Sequence, residues 1–372
     1  MQSGELLISY IAPGAPATRR PFSGRLPWLR PEVGFTPKWY HEKLNLDFGE
    51  QWHTDPAFRK RSVMAMREEL DRRFPGTAIG KAGGSGDTPD LLTGVFGSCT
   101  VAAMYGISIR YHSDQWPVSE HRYLSDEAME RIRPELPSEN AFFRQLAEQI
   151  RWIAEDQGKV TGFINWQGIL NNAQRLRGQQ IFIDMLTEPD KTMNLFDCIC
   201  TTMVESARAV QHIQRASGVH YNFFTVSNCL VNMLSPELYR EFILPFDQRI
   251  AGSFEATGIH NCAWNATPYL KDYAQVKHVR YIDMGIDSDL GLAGSLFPDS
   301  RRAIMYTPMD VAGKPLEDVR SDMERIARDY GPCDIVAADI EAGTPDNRVK
   351  DLIEICAEIS ETYDSLSMLR MK

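Results

Sequence analysis

Two soft metal ligands, His260 and Cys262, stand two residues apart in the run Gly258-Ile-His-Asn-Cys-Ala-Trp-Asn265. On an extended strand successive side chains alternate between faces, so both point the same way. A neutral imidazole and a thiolate are usual zinc ligands, and a catalytic zinc takes three protein ligands with one position open. The pair is therefore part of a site and predicts a third donor elsewhere. The plain alternative is a packed histidine beside a buried thiol.

Where the other donors fall narrows the choice. The seven cysteines are odd in number and scattered, with no CxxC pair, which favours a reducing cytoplasm over a disulfide framework. Cys198 and Cys200 lie two apart in a helical pattern, about 200° apart around its axis. Both read as core packing, as do Cys99, Cys229 and Cys356. Cys333 opens a strand whose far end, about 20 Å away in extended chain, carries Asp339 and Glu341 on one face. Cys333 is thus structural, and the two acids are candidates to complete the metal set. In the loop Gly80-Lys-Ala-Gly-Gly-Ser-Gly-Asp-Thr-Pro-Asp90 the lysine precedes the glycines, the reverse of a P-loop. Arg19, Arg20, Arg25 and Arg30 cluster among prolines and aromatics, either to grip substrate carboxylates or as a solvated arm. The remaining histidines show no ligand-like spacing.

The elements that must position these groups are clearest after residue 160. Short apolar runs alternate there with longer helical patterns, the signature of parallel strands joined by helices. Six strands are expected: Val160 to Gly168, His220 to Asn228, Thr257 to Asn265, Val279 to Gly285, Arg302 to Asp310, and Asp334 to Gly343. Ser235-Pro236-Glu237 and Thr344-Pro345-Asp346 each set a capping hydroxyl before a proline, a helix start. The first 160 residues are less regular, with a Pro-, Gly- and Arg-rich stretch from Ile11 to Pro37. Helices are expected there at Phe58 to Phe74, Ser125 to Arg133 and Glu139 to Asp156. The pattern implies an α/β fold, a TIM (β/α)8 barrel with an elaborated N-terminal segment, in which two further strands come from this region. The chain reads as one domain over 1–372, with 1–100 as extension and cap over the barrel mouth and 100–365 as most of the barrel.

Barrel enzymes work at the C-terminal ends of their strands. Those ends carry Asn165, Trp166 and Gln167; Ser227 and Asn228; His260 and Cys262; Asp283; Tyr306 and Asp310; and Asp339 and Glu341. From these, Asn228, Tyr306 and Asp310 are the catalytic candidates. Arg25, Arg30, Trp166, Gln167 and Trp264 are the substrate-binding candidates, and His260, Cys262, Asp339 and Glu341 the metal candidates. With 40 Lys plus Arg against 50 Asp plus Glu the net charge is −10, and no basic run would track a phosphate backbone, so nucleic acid is excluded as a partner. No run of eighteen apolar residues suggests a membrane span, and the chain reads as cytoplasmic.

The run from Leu234-Ser-Pro-Glu to Asp247-Gln-Arg-Ile250, followed by Gly258-Ile-His-Asn-Cys262, resembles the uroporphyrinogen decarboxylase superfamily. Thr344-Pro-Asp-Asn347 and Trp166-Gln-Gly-Ile-Leu170 add to the likeness, which covers roughly residues 100 to 360. The HxC element is similar to that of its zinc-dependent methyltransferases working with corrinoid proteins. That resemblance implies a TIM barrel, zinc on His260 and Cys262, and a third cysteine shortly before the final Thr-Pro. Ala338 stands at that place, so Asp339 is the expected substitute and Glu341 the second. An Asp-x-His-x-x-Gly segment is absent from the sequence, which puts any corrinoid on a separate partner protein. The expected function is methyl transfer between that corrinoid and a small-molecule methyl donor or thiol acceptor. The alternative is metal-free decarboxylation of uroporphyrinogen or another polycarboxylate, with Arg25 and Arg30 gripping the acid groups. A second alternative is a non-catalytic barrel that binds a small molecule or corrinoid.

Overall fold

The computed structural model describes residues 27–77, 79 and 88–370, with side chains through 363. Six strands build one parallel sheet: β1 (Leu29–Phe35), β4 (Phe223–Ser227), β5 (Ala256–His260), β6 (Val279–Met284), β7 (Arg301–Met305) and β8 (Cys333–Ile340). A separate antiparallel pair, β2 (Ile109–Arg110) with β3 (Val118–Ser119), lies outside that sheet. The order β1-β8-β7-β6-β5-β4 sets the first strand beside the last and makes β4 to β8 consecutive neighbours, the arrangement of a β/α barrel. The ladder of the described residues has six strands rather than eight.

The expected strand Val160 to Gly168 forms no ladder. It lies where the third barrel strand belongs, interrupted by positive φ at Gly162 (92°) and Gln167 (61°), with Gly168 packed against the Ser227 carbonyl at the end of β4. On its other side Phe163 N donates to Thr93 Oγ1 at 3.3 Å. Gln214, on the crossover helix Pro189–Ala216, donates its amide to the carbonyls of Val160 and Gly162 and so occupies acceptors a neighbouring strand would use. The other five expected strands are present but stop short, at Ser227, His260, Met284, Met305 and Ile340. The residues beyond them form the turns of the barrel mouth.

Strand side chains sort by alternation. Ile335, Ala337, Ile304, Ile282, Ile259, Val226 and Phe224 join the core shared with the helices. Tyr281, Ala303, Val336 and Ala338 form a second cluster inside the barrel, with Met305 against it. At the strands' N-terminal ends Asp334 takes Arg30 Nε and Arg301 Nε, each at 2.6 Å, in a buried triad across β1, β8 and β7. Residues 1–100, expected as extension and cap, thus supply a barrel strand, followed by helices Pro37–Leu44, Glu50–Thr54 and Pro56–Arg73. Two further expected helices are present as Asp126–Arg131 and Ala141–Gln157. No helix among the described residues is long and apolar enough to cross a membrane.

Candidate metal centre

β4 and β5 are hydrogen-bonded neighbours, with Ser227 opposite His260. Beyond that rung each chain adds an asparagine and a cysteine: Asn228-Cys229 from β4 and Asn261-Cys262 from β5. Cys262 Sγ lies 3.2 Å from His260 Nε2 and 3.0 Å from Cys229 Sγ. The three donor atoms fall within 4.8 Å of one another, the only such group among the described residues. His260 and Cys262 converge, though not by strand alternation. The strand ends at His260, and Cys262, in a left-handed turn at φ 54°, brings its sulfur back to the imidazole.

The imidazole is fixed from behind. His260 Nδ1 lies 2.7 Å from Asp283 Oδ2, which leaves Nε2 for the sulfurs. Asp283 is fully buried on β6 and accepts from Tyr281 OH and from Asn261 N, both at 2.7 Å. Asn261 also donates its amide to the Asp283 carbonyl at 2.8 Å and receives Tyr273 OH at 2.7 Å. A carboxylate behind a ligating histidine is the usual outer shell of a zinc site, because it sets the tautomer and the ring orientation.

The charges of the centre are linked. The Cys262 thiol donates to Cys229, and this bond first, then the nearby His260, holds Cys229 well below the ordinary thiol range. The same bond and burial push Cys262 up. Burial acts to lower the His260 pKa, but the Asp283 carboxylate and then the two sulfurs outweigh it and raise it. Zn–S near 2.3 Å and Zn–N near 2.0 Å in a tetrahedron put sulfur about 3.8 Å from sulfur and about 3.5 Å from nitrogen. The sulfurs need part by only about 0.8 Å to reach that geometry, so the residues fit a zinc ion.

Several expectations need correction. The third member of the potential donor group is Cys229, read from the sequence as core packing. Asp339 and Glu341 are both exposed and do not belong to the donor group. Asp339 lies near enough for His260 to act on its carboxyl, and desolvation and then Glu341 raise its pKa. Asn228 turns its side chain away from the mouth, to Asp247 Oδ2 at 2.9 Å. Tyr306 joins the core outside the barrel and donates to Asp322 at 2.8 Å. Asp310 accepts from Thr307 Oγ1 at 2.7 Å in the first turn of the helix Pro308–Gly313. Tyr306 and Asp310 therefore do not meet the metal group. Gln167 accepts from Asn171, whose own Oδ1 takes Leu230 N beside Cys229 at 3.3 Å, so Gln167 braces the ligand loop. Trp166 is buried; Trp264 sits half-buried against Tyr269, its indole nitrogen without a partner. Arg30 is engaged in the triad at the far end of the barrel, and Arg19, Arg20 and Arg25 lie outside the described residues, as does most of the loop 80–90.

The family model for uroporphyrinogen decarboxylase (URO-D) matches residues 88–314, more than half of the chain. The chain belongs to this family. Within the uroporphyrinogen decarboxylase fold it is similar to a methyltransferase from Methanosarcina mazei, at 16% identity and a TM-score of 0.61, over 93% of this chain and 95% of that one. A B12-independent methionine synthase from a Shewanella species, in complex with selenomethionine, aligns at 10% identity and a TM-score of 0.44, over 87% of this chain and 97% of that one. No curated protein sequence matches. The first likeness carries the fold, and with it the β/α barrel seen in the strand order.

Proposed function

We propose that this uroporphyrinogen decarboxylase family member is a zinc-dependent methyltransferase. It would move a methyl group between a corrinoid on a separate protein and a small-molecule donor or thiol acceptor. The observation that carries the reading is the convergence of Cys229, His260 and Cys262, with Asp283 behind the imidazole. Three protein ligands leave a fourth position for substrate. When bound, zinc supplies a Lewis acid that takes a thiol, lowers its pKa and keeps it as a nucleophilic thiolate. The protein's own groups prepare the seat: Asp283 keeps Nε2 of His260 turned toward the sulfurs, and Tyr281 and Asn261 hold Asp283. The Methanosarcina mazei protein of the same fold is named a methyltransferase, which is in keeping with this reading. Decarboxylation of a polycarboxylate is the weaker alternative, because Arg30 is buried against Asp334 away from the mouth.

The test is metal analysis joined to turnover. Protein prepared under reducing conditions should hold one zinc per chain, lost in Cys229→Ser, His260→Ala and Cys262→Ser and retained in Asp339→Asn. With methylcobalamin and a small thiol, the zinc form should discharge the methyl–cobalt absorbance. Full turnover by the zinc-free triple variant sinks the reading, and tight zinc without turnover of any donor or thiol favours a binding scaffold instead.

A further inference from the structure

We infer that Asp247 is a positioning residue of the metal centre, fixing through Asn228 the loop that carries Cys229. The inference rests on the zinc reading above. Asp247 is fully buried in the helix Leu244–Ala251. One of its oxygens, Oδ2, accepts from Asn228 Nδ2 at 2.9 Å and from Tyr239 OH at 2.8 Å, while Oδ1 has no partner. A half-satisfied carboxyl in a dry core costs stability that an apolar residue of similar size would not. What it holds is therefore informative.

It holds the hinge between β4 and a sulfur. The Asn228 backbone N–H donates to the His260 carbonyl at 2.7 Å, and its side chain is tied to Asp247. Pinned to β5 at one point and to the helix at another, Asn228 cannot turn about the chain axis, so the direction of Cys229 is set. The loop is also braced by Val231 N to the Asn228 carbonyl at 3.1 Å and by Leu230 N to Asn171 Oδ1 at 3.3 Å, both longer than the bond to Asp247. The β5 side repeats the arrangement: Asn261 precedes Cys262 and is tied to a buried aspartate, Asp283. Each sulfur thus follows an asparagine held by a buried acid.

The helix is shaped for the purpose. Pro245 has no N–H to return to the preceding turn, and Tyr239–Ile243 is a wide π-helical turn. In an unbroken α-helix residues eight apart diverge by about 80°; one extra residue in a wide turn brings them to within about 20°. Tyr239 and Asp247 therefore share a face and meet at Asn228.

The experiment measures zinc affinity of the full chain by chelator competition, beside thermal melting of the zinc-free form. Asp247→Leu and Asn228→Ala should each weaken zinc about 10–100-fold, as loss of an outer-shell partner does. The double variant should lose no more than either single one, since both remove one contact. Asp247→Asn keeps an oxygen for Asn228 and Tyr239 and should stay close to wild type. A merely structural role would lower melting temperature and leave affinity alone. Wild-type affinity in Asn228→Ala overturns the inference even where Asp247→Leu fails to fold, and so do losses that add in the double variant. Absence of zinc from the wild type overturns the metal reading and this inference together, whereas zinc bound equally by wild type and variants overturns this inference alone.

Discussion

Cys229 and Cys262 reach one point from adjacent strands, and both depend on the asparagine before them and a buried aspartate behind it. The two aspartates differ in their surroundings. Asp283 faces an imidazole that offsets its charge, while Asp247 has only neutral donors, and burial pushes its pKa up to about 6 from 3.8. Its folded-state pKa exceeds the unfolded one, so its contribution to stability is fully present below about pH 4 and is lost as pH rises through about 6. The difference of about two units corresponds to about 3 kcal/mol. Asp247→Asn abolishes that titration, so relative to wild type the variant should gain about 3 kcal/mol between pH 4 and pH 7 in urea unfolding. A constant difference between the two proteins across that range refutes the assignment. The partner of His260 and Cys262 was legible in the sequence in a form easily passed over. Ser227-Asn228-Cys229 and His260-Asn261-Cys262 end neighbouring strands with the same Asn-Cys step, and that repeat was the available signal for Cys229. Asp247 had no such signal, because its role depends on a helix irregularity that brings residues eight apart onto one face.

The mouth is made where strands stop, and the stopping residues are conformationally unusual. Gln167, Cys262 and Asp339 have φ of 61°, 54° and 59°, a left-handed conformation that costs non-glycine residues energy. They fall at the ends of the unladdered third strand, of β5 and of β8. Sequence periodicity gave these elements their place but overran them, since Cys262, Trp264 and Asn265 continue the pattern that His260 in fact closes. Close packing then fixes the turns. A Cβ on Gly285 would lie 2.0 Å from the carbonyl oxygen of Ala263, and Gly285 N donates to the Trp264 carbonyl at 3.0 Å. Backbone cannot yield as a side chain tip can, so Gly285→Ala must displace the turn that carries Cys262. It should lose zinc affinity about 10–100-fold, the range for a disturbed outer shell. Gly313→Ala, whose added carbon meets nothing within 4 Å, should leave affinity unchanged. Equal zinc binding by both variants would show that the turn is not what seats the sulfur.

At the scale of the molecule, the site depends on a first strand that returns to the last. β1 was hidden in the sequence because Arg30 and Glu32 alternate inward, giving a charged face where a strand buried on both sides would show apolar residues, and Pro31 interrupts the run. The proline is tolerated because β1 pairs only with β8 among the described residues, which leaves one side without a ladder. The inward charge is answered by Asp334, whose two oxygens take Arg30 and Arg301 and so join β1, β8 and β7. All three side chains are buried, at 2%, 1% and 4% exposure for Arg30, Asp334 and Arg301. Removing the shared carboxylate takes one counter-charge from two buried guanidinium groups, a loss of about 3–5 kcal/mol for a buried pair broken from one side. Asp334→Ala should therefore lower the denaturant midpoint strongly, yet keep zinc affinity wherever the protein remains folded, because the triad stands at the opposite end of the strands from His260. Replacing all three by apolar residues of similar volume, Arg30→Met, Asp334→Leu and Arg301→Met, should restore most of the lost stability, since desolvation of the charges disappears with them. An unchanged midpoint in Asp334→Ala would mean that β1, β8 and β7 are held together by their ladders and apolar layers alone.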